Sequence, residues 1–186
     1  MKLKVLIGAL ALSSTSFIAN AGLTKMEIEF DSLSNKASTK INQAQPSDCS
    51  FNMLELSDDR QNKETVALAF PDSIGISNIE EYLGRVKETS NGFTVDENAQ
   101  HKIDVNARLI RMYTYPESMN ILGITAIVAD FMVNGEVVKS RQYRGFYAKT
   151  NWAGGKGEYL TAINDSAQEL IKSYTLDLTN ICKDIL

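Results

Sequence analysis

Histidine is almost absent from this chain of 186 residues, with His101 the only one. Any Ser-His-Asp or Cys-His catalytic arrangement would have to use it. It stands beside Lys102 at the start of an alternating run, the usual place of a plain surface histidine. Cysteine is nearly as scarce: Cys49 and Cys182 alone, too few with His101 for a zinc site. No G-x-S-x-G, H-E-x-x-H or Cys-x-x-Cys motif occurs. Basic residues are in deficit, 19 against 23 acidic ones for a net charge of −4. Their scatter excludes the basic stripe that nucleic-acid backbones require. These shortages point away from an enzyme, and to no cofactor or resident metal.

Long apolar runs are missing too. The cleanest, Val5 to Leu12, falls far short of the roughly 20 residues that span a bilayer. Its surroundings explain it: Lys2 and Lys4 precede it, and small polar residues lead to Ala19-Asn20-Ala21, an A-x-A cleavage pattern. Residues 1–21 therefore read as a secretory signal peptide cut before Gly22. A lipid-anchored envelope protein would carry cysteine where Gly22 stands. The expected product is periplasmic, or exported beyond the outer membrane, with no integral membrane segment.

In an oxidising compartment Cys49 and Cys182 allow one intramolecular pairing. A disulfide is the expectation, and two buried free thiols the alternative. Closing a loop of well over a hundred residues would contribute about 5 kcal/mol in the chain-entropy account.

Residues 22–47 are polar and read as a partly disordered leader, with a short edge strand within Met26 to Phe30. Residues 48–186 read as a single domain. Strands are expected over Cys49 to Leu56 and Thr65 to Phe70, the latter stopped by Pro71. Ser77 to Thr89 is a helix in which Ser77 and Glu80 form a capping box and Asn91-Gly92 ends the run. Ile103, Val105, Ala107 and Leu109 alternate with polar residues as a half-buried strand continuing to Tyr115. Ile121 to Val133, interrupted by Gly123 and Asp130, suits a central strand. Asn134-Gly135 is a hairpin signal, with Glu136 to Lys149 as the return strand. From Leu160 to Ile185 apolar residues recur at three and four, a long amphipathic helix. The expected fold is α+β: an antiparallel sheet of about five strands, two helices on one face, order β-β-α-β-β-β-α.

Asp58, Asp59 and Glu64 surround Arg60 in a polar turn that fits no EF-hand spacing. Asn151 to Gly157 is glycine-rich and contains Lys156, yet lacks the G-x-x-x-x-G-K-[ST] arrangement. It reads as a loop presenting Trp152. Tyr113, Tyr115, Tyr143, Phe146, Tyr147 and Trp152 cluster near the same strands. Trp152, Tyr113, Tyr115 and Tyr147 are the candidate contacts, because Tyr and Trp bring large apolar area with a polar tip.

Several stretches resemble the YajG-like family of Gram-negative envelope lipoproteins. They are Phe51 to Arg60, Ile79 to Leu83, Gly92 to Val95, Ile103 to Tyr113, Val133 to Glu136, Tyr143 to Tyr147 and the helix from Leu160. The resemblance implies a compact α+β envelope domain without catalytic residues. This chain departs from it in lacking the lipidated cysteine. The functional expectation is a non-enzymatic binding or accessory subunit for an envelope protein or lipid component. The alternatives are a carrier holding a lipid or small hydrophobic ligand between sheet and helices and, less favoured, a carboxylate-based hydrolase.

Overall fold

The computed structural model describes residues 22–30, 48–69, 72–150 and 155–186. Ala19, Ala21, Trp152 and most of the polar leader lie outside the described residues. Among the described residues seven strands and two helices form: β1 (Leu23–Met26), β2 (Cys49–Asp58), β3 (Ala67–Ala69), β4 (Asp72–Ile76), α1 (Ile79–Thr94), β5 (His101–Glu117), β6 (Asn120–Val133), β7 (Glu136–Thr150) and α2 (Lys156–Ile185).

The three long strands form where alternation or branching predicts them. On β5, Ile103, Val105, Ala107 and Leu109 are at most 1% exposed. Asn134 and Gly135 both take positive φ, 54° and 83°, closing the β6–β7 hairpin as expected. The expected all-antiparallel sheet of about five strands is corrected, however. The sheet is mixed and has seven strands, in the order β1-β4-β3-β5-β6-β7, with β2 also on β5. β2 and β3 lie parallel to β5, and β1 lies parallel to β4. A parallel pair needs a crossover rather than a tight turn, and α1 lies in the connection that brings the chain back to β5. β1, β3 and β4 are three to five residues long, too short for a period to show. Beyond β1, Ile28 and Phe30 join the core at 4% and 7% exposure.

α1 starts one residue later than a Ser77 cap requires. Asn78 is its N-cap residue and makes no side-chain cap bond. Its carboxamide instead accepts from the Ile28 N–H and donates to the Ile28 carbonyl, both at 3.0 Å. The helix also runs past Gly92 to Thr94, since its last turn is held by β2. Asn91 accepts from the Met53 N–H at 2.8 Å and donates to the Met53 carbonyl at 3.0 Å. Thr94 Oγ1 donates to the Phe51 carbonyl at 2.7 Å. Side chains thus complete the free edge of β2 where another strand would otherwise pair.

Both helices contribute to one core on one face of the sheet. The α2 stripe is buried as predicted, from Leu160 through Ile163, Ala167, Leu170, Tyr174 and Leu178 to Ile181. Two strand glycines set how close α2 sits. A Cβ at Gly123 would lie 2.0 Å from the Ala162 carbonyl oxygen, and one at Gly145 only 1.8 Å from that of Ser166. Thr125 and Ser166 hydroxyls hydrogen-bond across the seam at 2.7 Å. At its first turn, Lys156 Nζ pairs with Asp72 at 2.8 Å and donates to Thr24 at 2.9 Å. At its last turn, Cys182 is disulfide-bonded to Cys49 with the Cα atoms 6.0 Å apart, an ordinary separation.

Gly145→Ala is expected to destabilise the fold by about 3 kcal/mol, because backbone rather than a flexible side chain must yield. Gly84→Ala in α1, where a Cβ meets nothing within 4 Å, should stabilise by about 1 kcal/mol. Urea unfolding midpoints compare the two; indistinguishable midpoints would refute the close-approach argument. A thiol count on denatured, unreduced protein should find none free.

Candidate binding face

Strand alternation sends one set of side chains to α2 and the other to the opposite face, which no helix among the described residues covers and which is called the helix-free face below. The register places three rows of that second set side by side. Tyr115, Leu122 and Ala148 form one row; Tyr113, Ile124 and Phe146 the next; Arg111, Ala126 and Arg144 the third. Tyr113 and Tyr115 stack with ring centroids 5.8 Å apart. Phe146 is 53% exposed. An apolar and aromatic band therefore adjoins a pair of arginines.

The band borders an open groove of about 850 Å³. β2 leaves β5 at Leu109 and β3 joins it at Thr114, so among the described residues no strand stands beside 110–113 on that edge. Residues of the β2–β3 loop line the groove at this gap. Arg60 on the loop, Arg111, Tyr113 and Tyr115 on β5, and Gln142 and Arg144 on β7 line the groove.

Arg60 fastens the loop. Its Nε and Nη2 donate to the two Asp58 carboxylate oxygens at 2.8 Å each, a bidentate fork. The guanidinium is buried, and its Nη1 has no hydrogen-bond partner among the described residues. Partial burial pushes the Asp58 carboxyl up, but the Arg60 bonds and charge outweigh it and hold it below its ordinary value. Arg85, Arg108 and Arg141 also pair with carboxylates. Arg111 and Arg144 have no ion-pair partner among the described residues.

The structure separates the sequence candidates. Tyr113 and Tyr115 stand together at the groove. Tyr147 is on the opposite face, where burial and the Asp165 carboxylate push its phenol up. Tyr143 is core, 5.2 Å edge-on from Tyr174 and donating to Asp177 at 2.9 Å. Trp152 lies outside the described residues. Gly22, by contrast, accepts from the Ser73 N–H at 3.0 Å at the start of β1. His101 is exposed, its N–H bonded to the Asp48 carbonyl at 3.0 Å. Lys156, in the glycine-rich run, is engaged by Asp72 and Thr24.

Sequence reading missed Arg60, Arg111, Arg144, Ile124 and Phe146 as one site. Arg108 and Arg111 are three apart and by simple alternation belong to opposite faces. A register shift between Leu109 and Arg111 puts both outward. The space between sheet and helices, proposed above for a ligand, contains a gap of about 10 Å³ beside Phe51, Phe93 and Leu178. Among the described residues no helix is long and apolar enough to cross a membrane.

No protein-family model matches the chain, and no curated protein matches it. Solved structures do. Protein XCC0632 from Xanthomonas campestris, of the DUF330 family, superposes with a TM-score of 0.54 at 11% identity, covering 87% of this chain and 99% of that one. At that identity the likeness shows a shared fold alone. A candidate lipoprotein from Caulobacter crescentus reaches a TM-score of 0.45 at 7% identity, covering 78% and 98% of the two chains. That score is too low to carry an argument.

A depressed carboxylate value means the Asp58–Arg60 pair is intact above pH ~4 and is lost as pH falls through the folded value. Asp58→Asn should therefore speed amide exchange across residues 59–66 at pH 7. Unchanged exchange would show that the fork does not hold the loop.

Proposed function

We propose that this chain is a non-enzymatic binding or accessory protein of the cell envelope, periplasmic once cut after Ala21, that holds an envelope component on its helix-free face. One observation carries the reading: Tyr113, Tyr115, Ile124 and Phe146 make a contiguous band on that face, while the other face is sealed by α2. Exposed aromatic area of this kind is stabilised when a partner covers it. The YajG-like resemblance supports the same reading, since that family is one of envelope domains without catalytic residues. The absence of a cysteine at Gly22 favours a free rather than lipid-anchored member. Trp152, which follows β7 in the sequence, is a second contact.

Cross-linking and pull-down from native envelopes tests this. Tyr113→Ala with Phe146→Ala should lower partner capture at least tenfold, with unfolding midpoints shifted by no more than surface substitutions usually cause. Trp152→Ala should weaken capture less. Undiminished capture by the double variant would sink the proposal. Turnover on glycan, ester or peptide substrates would replace it with an enzymatic one.

A further inference from the structure

The helix-free face carries a chemical preference that aromatic residues alone do not set. It has a cationic end and an apolar end, divided by the rows of the sheet. Arg111 and Arg144 occupy neighbouring register positions on either side of Ala126, about 10 Å apart between Cα atoms. Ala126 is too small to separate them, and arginine side chains are long enough to converge above it. From the groove's other wall comes Arg60, whose buried Nη1 has no partner among the described residues. A buried donor without an acceptor is destabilising, more so on a charged group, and in a folded protein it calls for an explanation. The Asp58 carboxylate is already occupied by the other two guanidinium nitrogens. Asp59, the acidic residue at the rim, is paired with Arg108 at 3.4 Å. An anion entering the groove therefore meets the exposed Arg111 and Arg144, which no described carboxylate pairs, beside the buried Arg60 with its one unpartnered nitrogen.

Immediately beside these groups lie Tyr113, Tyr115 and Leu68, the last 68% exposed. Ile124 and Phe146 continue the apolar surface one row from the arginines. In a chain with net charge −4, gathering the unpaired arginines against exposed aromatics is a local reversal of sign.

We infer that the groove binds an amphiphilic oxyanion, a phosphate or carboxylate group carried on an apolar body. The oxyanion lies among Arg60, Arg111 and Arg144, and the apolar body lies over Tyr113, Ile124 and Phe146. This deepens the reading of the helix-free face as a binding surface and rests on it. The guanidinium forks supply directed bonds to the forked oxygens, and the aromatic band supplies area.

Calorimetric titration of the mature protein tests it, with every amphiphile kept below its micelle concentration. Decyl phosphate and decanoate should bind, inorganic phosphate at least tenfold more weakly, and decyltrimethylammonium not at all. Arg111→Gln with Arg144→Gln, both at exposed positions, should weaken decyl phosphate at least tenfold and leave the unfolding midpoint unchanged. Equal binding of the cationic amphiphile, or full retention by the double variant, would overturn the oxyanion site. Inorganic phosphate binding as tightly as decyl phosphate would overturn the amphiphile. If the arginine variant still captures the envelope partner but neither parent nor variant binds decyl phosphate or decanoate, the oxyanion inference fails while the binding face stands.

Discussion

The architecture depends on the backbone of α2 lying directly against two glycines of the sheet. At Gly123 and Gly145 there is no space for even a methyl group, so helix and strands meet at a distance that side chains normally forbid. The Thr125–Ser166 hydroxyl pair at the same seam satisfies two buried polar groups with each other. Once that distance is set, the apolar stripe of α2 closes the interior along its length. The open groove lies away from this seam, between the β2–β3 loop and the face of the sheet that carries Gln142 and Arg144.

The sheet margins obey a second rule, that exposed backbone must find partners. Here side-chain amides take the place of strands. Asn91 presents both an acceptor and a donor to Met53, and Asn78 does the same for Ile28. Each asparagine copies the donor–acceptor pair of a neighbouring peptide. The expected capping box at Ser77 gave way because Asn78 serves the chain preceding the core rather than its own helix. At the gap between β2 and β3 no such substitute fills residues 110–113, and there the groove opens.

How much of this could be read beforehand depends on the length of the pattern. β5, β6, β7 and both helices repeat long enough for their periods to be seen, and Asn134-Gly135 marks its own turn. The short strands β1, β3 and β4 carry no period, and a parallel pairing such as β2 with β5 leaves no local sign. The candidate face was half visible. Tyr113 and Tyr115 are two apart and share a face on any register, whereas Arg111 joins them beside Arg144 only through the shift after Leu109. Tyr143 and Tyr147 look equivalent to Phe146 in composition; alternation separates them, since odd positions of β7 meet α2. Gly123 reads as an interruption of its strand because close approach is a property of two elements, not of one.

The disulfide has a consequence for the order in which the molecule is finished. Cys49 begins β2 and Cys182 stands in the last turn of α2, 133 residues later. During delivery of the chain from its N-terminus, Cys49 emerges early and waits without a partner until nearly everything else has arrived. With no other cysteine in the chain, the wait carries no risk of a wrong intramolecular bond. Maturation then requires an oxidant but no isomerase to correct mispairing, and the bond records that both ends of the domain have come together.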